Sequence, residues 1–99
     1  MSLGAIGRAQ GGLRVAGSKL DAVAHNTANM ATKGVRQIDV NGVETPAGVR
    51  PQVTQRESEG IDPVAVTVDR TVAALTYTAN LAVIKTADEM LGETIDLME

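Results

Sequence analysis

The chain has no cysteine, no phenylalanine and no tryptophan, and Tyr77 is its one aromatic residue. Without cysteine there are no disulfides, no thiolate metal sites, no iron–sulfur ligation and no thiol nucleophile, and the redox compartment stays open. Without large rings, which usually supply much of a core's buried area, the interior must be built from Ala, Val, Leu and Ile. Ninety-nine residues make one small domain, of marginal stability as a monomer. Small side chains let helices approach closely, so much of the burial is expected to come from other chains.

Other absences narrow the function. No apolar run approaches the length of a membrane span, so membrane insertion is not expected. No basic stretch followed by an apolar segment and a small-residue cleavage site opens the chain, so a route out of the cytoplasm would use no cleavable signal. Clustered Lys/Arg with interleaved aromatics are missing, which argues against nucleic acid. His25 is the only histidine, a polar position on a helix and a poor start for a metal site. Gly12–Lys19 has the order Ser-Lys where a phosphate loop needs Lys-Ser/Thr. Asp88, Glu89, Glu93 and Asp96 lack a calcium loop and read as a solvated helix face. The three serines (Ser2, Ser18, Ser58) lie in no nucleophile motif. No catalytic, cofactor-binding or metal-ligating set is present, so the expectation is a protein that is not an enzyme and carries no cofactor.

What is present is helical periodicity at both ends. Ile6, Ala9, Leu13, Ala16, Leu20, Val23, Thr27 and Met30 step alternately by 3 and 4. Tyr77, Leu81, Ile84, Leu91, Ile95 and Met98 follow a similar stripe, with Val68, Val72, Leu75, Ala79 and Ala82 as a second one beside it. Narrow apolar seams of this kind need a partner helix. Charge is also divided. Residues 1–56 carry +4 and residues 57–99 carry −7 within the net −3, and opposite-sign halves can pair within or between chains.

The spacing predicts a mainly α fold in three parts: an N-terminal helical segment over 1–34, a short β-hairpin and loop over 35–61, and a long helix over 62–99. Gly4, Gly7, Gly11, Gly12 and Gly17 weaken the first helix, by up to about 1 kcal/mol each, so its helicity should depend on a neighbour covering the seam. It should stop between Asn29 and Gly34. Asn41-Gly42 is the preferred two-residue hairpin turn, with Val43–Thr45 returning as the second strand. Gly48–Thr54 reads as another extended piece, at an edge because of Pro51. Asp62-Pro63 supplies an N-cap and a first helical residue. From there about 36 residues span roughly 54 Å, more than a globule of this size needs. Asn80, a poor helix former in mid-helix, is expected to fix register between helices, as a polar residue does in a coiled-coil seam.

Asn26-Thr27-Ala28-Asn29 followed by Thr32-Lys33-Gly34, behind Gly12-Leu13 and Leu20-Asp21, resembles the N-terminal signature of bacterial flagellar axial proteins. Tyr77-Thr78-Ala79-Asn80 with Val83 to Gly92, including Leu81, Ile84, Thr86, Met90 and Leu91, resembles the C-terminal signature of the same family. The two together cover roughly two thirds of the chain. Val35 stands where the family has Tyr, Thr27 where it has Ile, and the middle is short for the proximal rod class.

The resemblance implies a flagellar basal-body rod protein. It implies two terminal helices paired as an antiparallel coiled coil, with Leu13, Leu20, Leu75, Leu81, Ile84 and Leu91 in the seam. Asn26, Asn29 and Asn80 would fix ends and register, and Gly34 would make the turn out of the first helix. Its partners would be itself, other rod and axial proteins and the flagellar export apparatus. Its place would be the periplasm-spanning rod, reached without signal cleavage. A helical adaptor or secretion-linked binding module, using the same seams on one partner, is the alternative reading.

Overall fold

A computed structural model of the chain describes residues 3–98. Two helices flank a small hairpin: α1 (Leu3–Ala28), β1 (Ile38–Thr45), β2 (Gly48–Gln55) and α2 (Pro63–Met98). The molecule is a rod, 63 × 24 × 15 Å.

α1 is the central element. The hairpin packs on it, and so does α2, while among the described residues α2 makes no packing contact with either strand. Two adjacent glycines make this possible. A Cβ on Gly11 would lie 2.8 Å from the Val49 carbonyl oxygen, and one on Gly12 would lie 2.5–2.7 Å from the Asn80 side chain. One glycine therefore admits the hairpin and the next admits α2. Both helices leave one anchor, where Asn26 holds Ile38 and Gln37 holds Asp62. They meet again at Gly12 and Asn80, far along each, so they run side by side in opposite directions.

The N-terminal seam is partly as the periodicity predicts. Ala9, Ala16 and Val23 are buried, Ile6, Leu13 and Leu20 are half-buried, and Thr27 and Met30 are exposed where the helix runs out. α1 ends at Ala28, just ahead of the Asn29–Gly34 window, and Gly34 has φ +78°, the left-handed region that suits glycine.

The hairpin corrects the expected turn. Asn41-Gly42 lies inside β1, paired with Gln52 and Pro51, and the chain reverses between Thr45 and Gly48. Pro46 fixes its own φ and has no amide to give the ladder. Gly48 takes φ +124°, and the Thr45 hydroxyl donates to its carbonyl at 2.7 Å. This turn chemistry outranks the Asn-Gly signal. Val43–Thr45 therefore ends β1, and Gly48–Gln55 is the return strand. A two-stranded sheet is marginal alone; here Val40 is buried, and Val15 of α1 lies against Gly42 of β1.

α2 begins as its sequence predicts. The Asp62 carboxylate accepts from the Val64 and Ala65 amides at 3.1 and 3.2 Å, and Pro63 is the first helical residue.

Candidate assembly surface

At the anchor, the end of α1, the start of β1 and the start of α2 are tied together by side chains. The Asn26 amide, 1% exposed, donates to the Ile38 carbonyl at 2.8 Å and accepts from the Ile38 amide at 3.0 Å. It thus pairs with the strand backbone as another strand would. Gln37 is fully buried. Its Nε2 donates to Asp39 at 3.0 Å, and its Oε1 accepts from the Asp62 amide at 2.8 Å. Arg56 closes the set through a 2.7 Å ion pair with Asp39. Burial pushes the Asp39 carboxyl up, but hydrogen bonds from Arg56 and Gln37 and the guanidinium charge outweigh it and hold the group below its ordinary value.

Asn29 works as a C-terminal brace. Its Nδ2 donates to the His25 carbonyl at 2.8 Å, and its Oδ1 accepts from the Thr32 hydroxyl at 3.1 Å. The His25 carbonyl also accepts from the Asn29 backbone amide at 3.1 Å, so the side chain adds a second bond to the last turn. Asn26, Asn29, Thr32 and Gly34 thus form one local device that ends α1 and sends the chain into the hairpin, with Ala28 exposed at the helix end. Gln37 is the member the sequence does not reveal. Alternation places it with Asp39 on a polar strand face, yet it lies before β1, where the chain crosses between both helix ends.

The C-terminal residues behave differently. The side of α2 turned inward carries Val66, Asp69, Ala73, Thr76, Asn80, Val83 and Ala87, buried or half-buried and stepping by 3 and 4. It is a heptad seam of mostly small and polar residues. The expected C-terminal stripe is therefore corrected. Leu75 is 67% exposed, and Tyr77, Leu81, Met90, Leu91 and Ile95 are exposed as well. Ala79 and Thr86 are also exposed, and Ile84 is half-buried at the margin of the seam. Met98 closes α2, and its side chain lies outside what the structure describes. The cause is close approach: an α1 surface of Ala9, Gly12 and Ala16 leaves no depth for leucines opposite. Asn80 sits over Gly12 and gives its Nδ2 to the Thr76 carbonyl of its own helix at 2.8 Å. Its fit to α1 is one of shape.

The second stripe also lies outside. Val68 and Val72 are exposed with Leu75, as are Ala79 and Ala82. From Asp88 to Leu97 every residue is exposed, including all four acidic ones.

Among the described residues no group of three or more His, Cys, Asp or Glu is placed to hold a metal ion, and no helix is long and apolar enough to cross a membrane. A shallow groove between α1 and the hairpin, lined by Ser18, Asp21, His25, Ile38, Val40 and Val53, is open and assembles no reactive set. No protein-family model matches the chain, and no curated protein matches it.

Proposed function

We propose that the chain is a structural subunit of the bacterial flagellar basal-body rod, assembling with itself and with other axial proteins into a tube that transmits torque. α1 and α2 pair as an antiparallel coiled coil along the shaft, and the hairpin lies on the outer side of α1. The subunit passes through the flagellar export apparatus without signal cleavage. It performs no catalysis and needs no cofactor.

The observation that carries this reading is the contrast between the two stretches that resemble the axial signatures. The N-terminal one, Asn26, Asn29, Thr32 and Gly34, is spent inside the molecule, ending a helix and docking a strand. The C-terminal one points largely outward, with Tyr77, Leu81, Met90 and Leu91 exposed on a helix longer than its own fold uses. A row of exposed large apolar residues on a soluble helix marks a protein contact. A rod subunit needs such a surface along its length, since each copy must be covered by neighbours.

The test is genetic. Deleting the gene should leave basal bodies that stop at the rod and cells that do not swim, and the intact gene should restore both. Complete basal bodies and normal swimming in the deletion strain would refute the reading.

A further inference from the structure

We infer that Asn41 is a modification site, converted spontaneously through a succinimide to isoaspartate, and that the β1–β2 ladder holds this reaction back until the hairpin opens. The inference rests on the hairpin alone and holds whether or not the protein belongs to a flagellum.

Of the four asparagines, only Asn41 precedes a glycine; the others precede Thr27, Met30 and Leu81. Glycine favours the reaction because it has no side chain to hinder approach to its nitrogen. The Gly42 amide gives its proton to hydroxide, and the nitrogen attacks the side-chain carbonyl carbon of Asn41. A C–N bond forms, the bond to Nδ2 breaks, and Nδ2 takes a proton from water and leaves as ammonia. Water then opens the ring at either carbonyl. One opening gives aspartate. The other gives isoaspartate, in which the main chain runs through the side-chain carbon. No oxidant, reductant or cofactor is needed. Asn26, Asn29 and Asn80 each give their amide to a backbone carbonyl. Asn41 is exposed, and among the described residues its side chain makes no hydrogen bond.

The ladder is the restraint. The Arg56 amide donates to the Gln37 carbonyl at 2.9 Å, and bonded pairs alternate along an antiparallel ladder. In the observed register Asn41 and Gln52 are therefore a bonded pair, while Gly42 turns its amide outward. The two bonds to Gln52 hold Asn41 extended, with ψ of about +135°. Ring closure needs ψ turned well away from that value, so it waits until the pair breaks. The hairpin is lightly held. Two strands make a marginal sheet, α2 packs on neither of them among the described residues, and Val43, Pro51 and Val53 are exposed. Segments with few buried contacts open before the rest of a fold. The modification then prevents reclosure. Isoaspartate adds one carbon to the main chain, and β1 cannot slide to absorb it because Asn26 holds Ile38. Residues 42–45 lose register with residues 48–51, and Gly42 and Val49 lose their places against Val15 and Gly11.

Trypsin spares the Arg50-Pro51 bond, so residues 37–56 come off as one peptide with Asn41 its only asparagine. At mildly alkaline pH this peptide should gain the mass of an amide-to-acid change, with isoaspartate identified by isoaspartyl methyltransferase labelling. Conversion should be at least tenfold faster in guanidinium chloride than in the folded chain. Gly42→Ala should slow it at least tenfold in denaturant. That variant should still fold, since the added Cβ meets only Val49 and Val15 side chains at 3.4–3.8 Å and Gly42 has no positive φ. The isoaspartate chain should keep its helical circular dichroism while the hairpin amides exchange hydrogen at least tenfold faster. Four results would overturn the inference: equal rates in folded and denatured chain, conversion of Asn26, Asn29 or Asn80 in denaturant as fast as that of Asn41, no slowing by Gly42→Ala, or an isoaspartate chain whose hairpin exchanges as slowly as the original.

Discussion

At the scale of single residues, the glycines of α1 divide by what stands opposite them. A methyl group at Gly17 meets nothing within 4 Å. There Ala only removes the entropic penalty of glycine in a helix, and Gly17→Ala should stabilise the chain by about 0.5–1 kcal/mol. At Gly11 the same change drives Cβ into the Val49 carbonyl, and overpacking of this kind costs about 1–3 kcal/mol. Thermal unfolding of the two variants should move in opposite directions; a rise in Tm for both would mean that the hairpin does not rest on Gly11. The glycines are legible in the sequence as a weakness of α1. Their use is not, because it depends on which neighbour comes to lie against each one. Asn26 is a similar case. Its position near a helix end is readable, but its two bonds to Ile38 need a strand that starts twelve residues later.

At the scale of elements, the anchor between helix ends and hairpin is electrostatic as well as packed. Asp39 accepts from Gln37 and Arg56, and its carboxyl titrates below its ordinary value. A group whose pKa is lowered by folding adds stability above its unfolded value, near 3.9, and loses it as pH falls through the folded value. Denaturant unfolding followed from pH 6 toward acid should show stability falling below about pH 4. Asp39→Asn should flatten that part of the curve while lowering stability at pH 6. An unchanged slope in the variant would remove Asp39 from the account. The helices themselves were legible. Asp62-Pro63 marks the start of α2, and the Ala9–Ala16–Val23 positions mark the inner side of α1. The face of α2 was not, since a search for large apolar residues finds Leu75, Leu81 and Leu91, while the α1 contact selects Ala73, Asn80 and Ala87 for size. The turn departs from its local signal for a related reason: Asn41-Gly42 favours a hairpin turn, and Pro46 with Gly48 imposes a stronger constraint.

At the scale of the whole molecule, the fold is a rod with its small residues inside and many of its large ones outside. A 99-residue chain that closes its own seam with Ala, Thr and Asn has not used its best apolar surface. Val68, Leu75, Leu81, Leu91 and Ile95 remain exposed. These residues fall on two sides of α2, Val68 and Leu75 on one and Leu81, Leu91 and Ile95 on the other. The apolar spacing at both ends predicts a chain built for partners. Which side of α2 stays open becomes visible only when α1 and α2 are seen together. The most direct measurement of the central claim is the amount of this chain that co-sediments with purified basal bodies, compared between the unmodified protein and a Leu75→Lys, Leu81→Lys variant expressed at equal level. The account predicts clear recovery of the unmodified chain in the basal-body fraction and at least a tenfold loss for the folded variant. Absence of the unmodified chain from basal bodies, or equal recovery of the two, would contradict it.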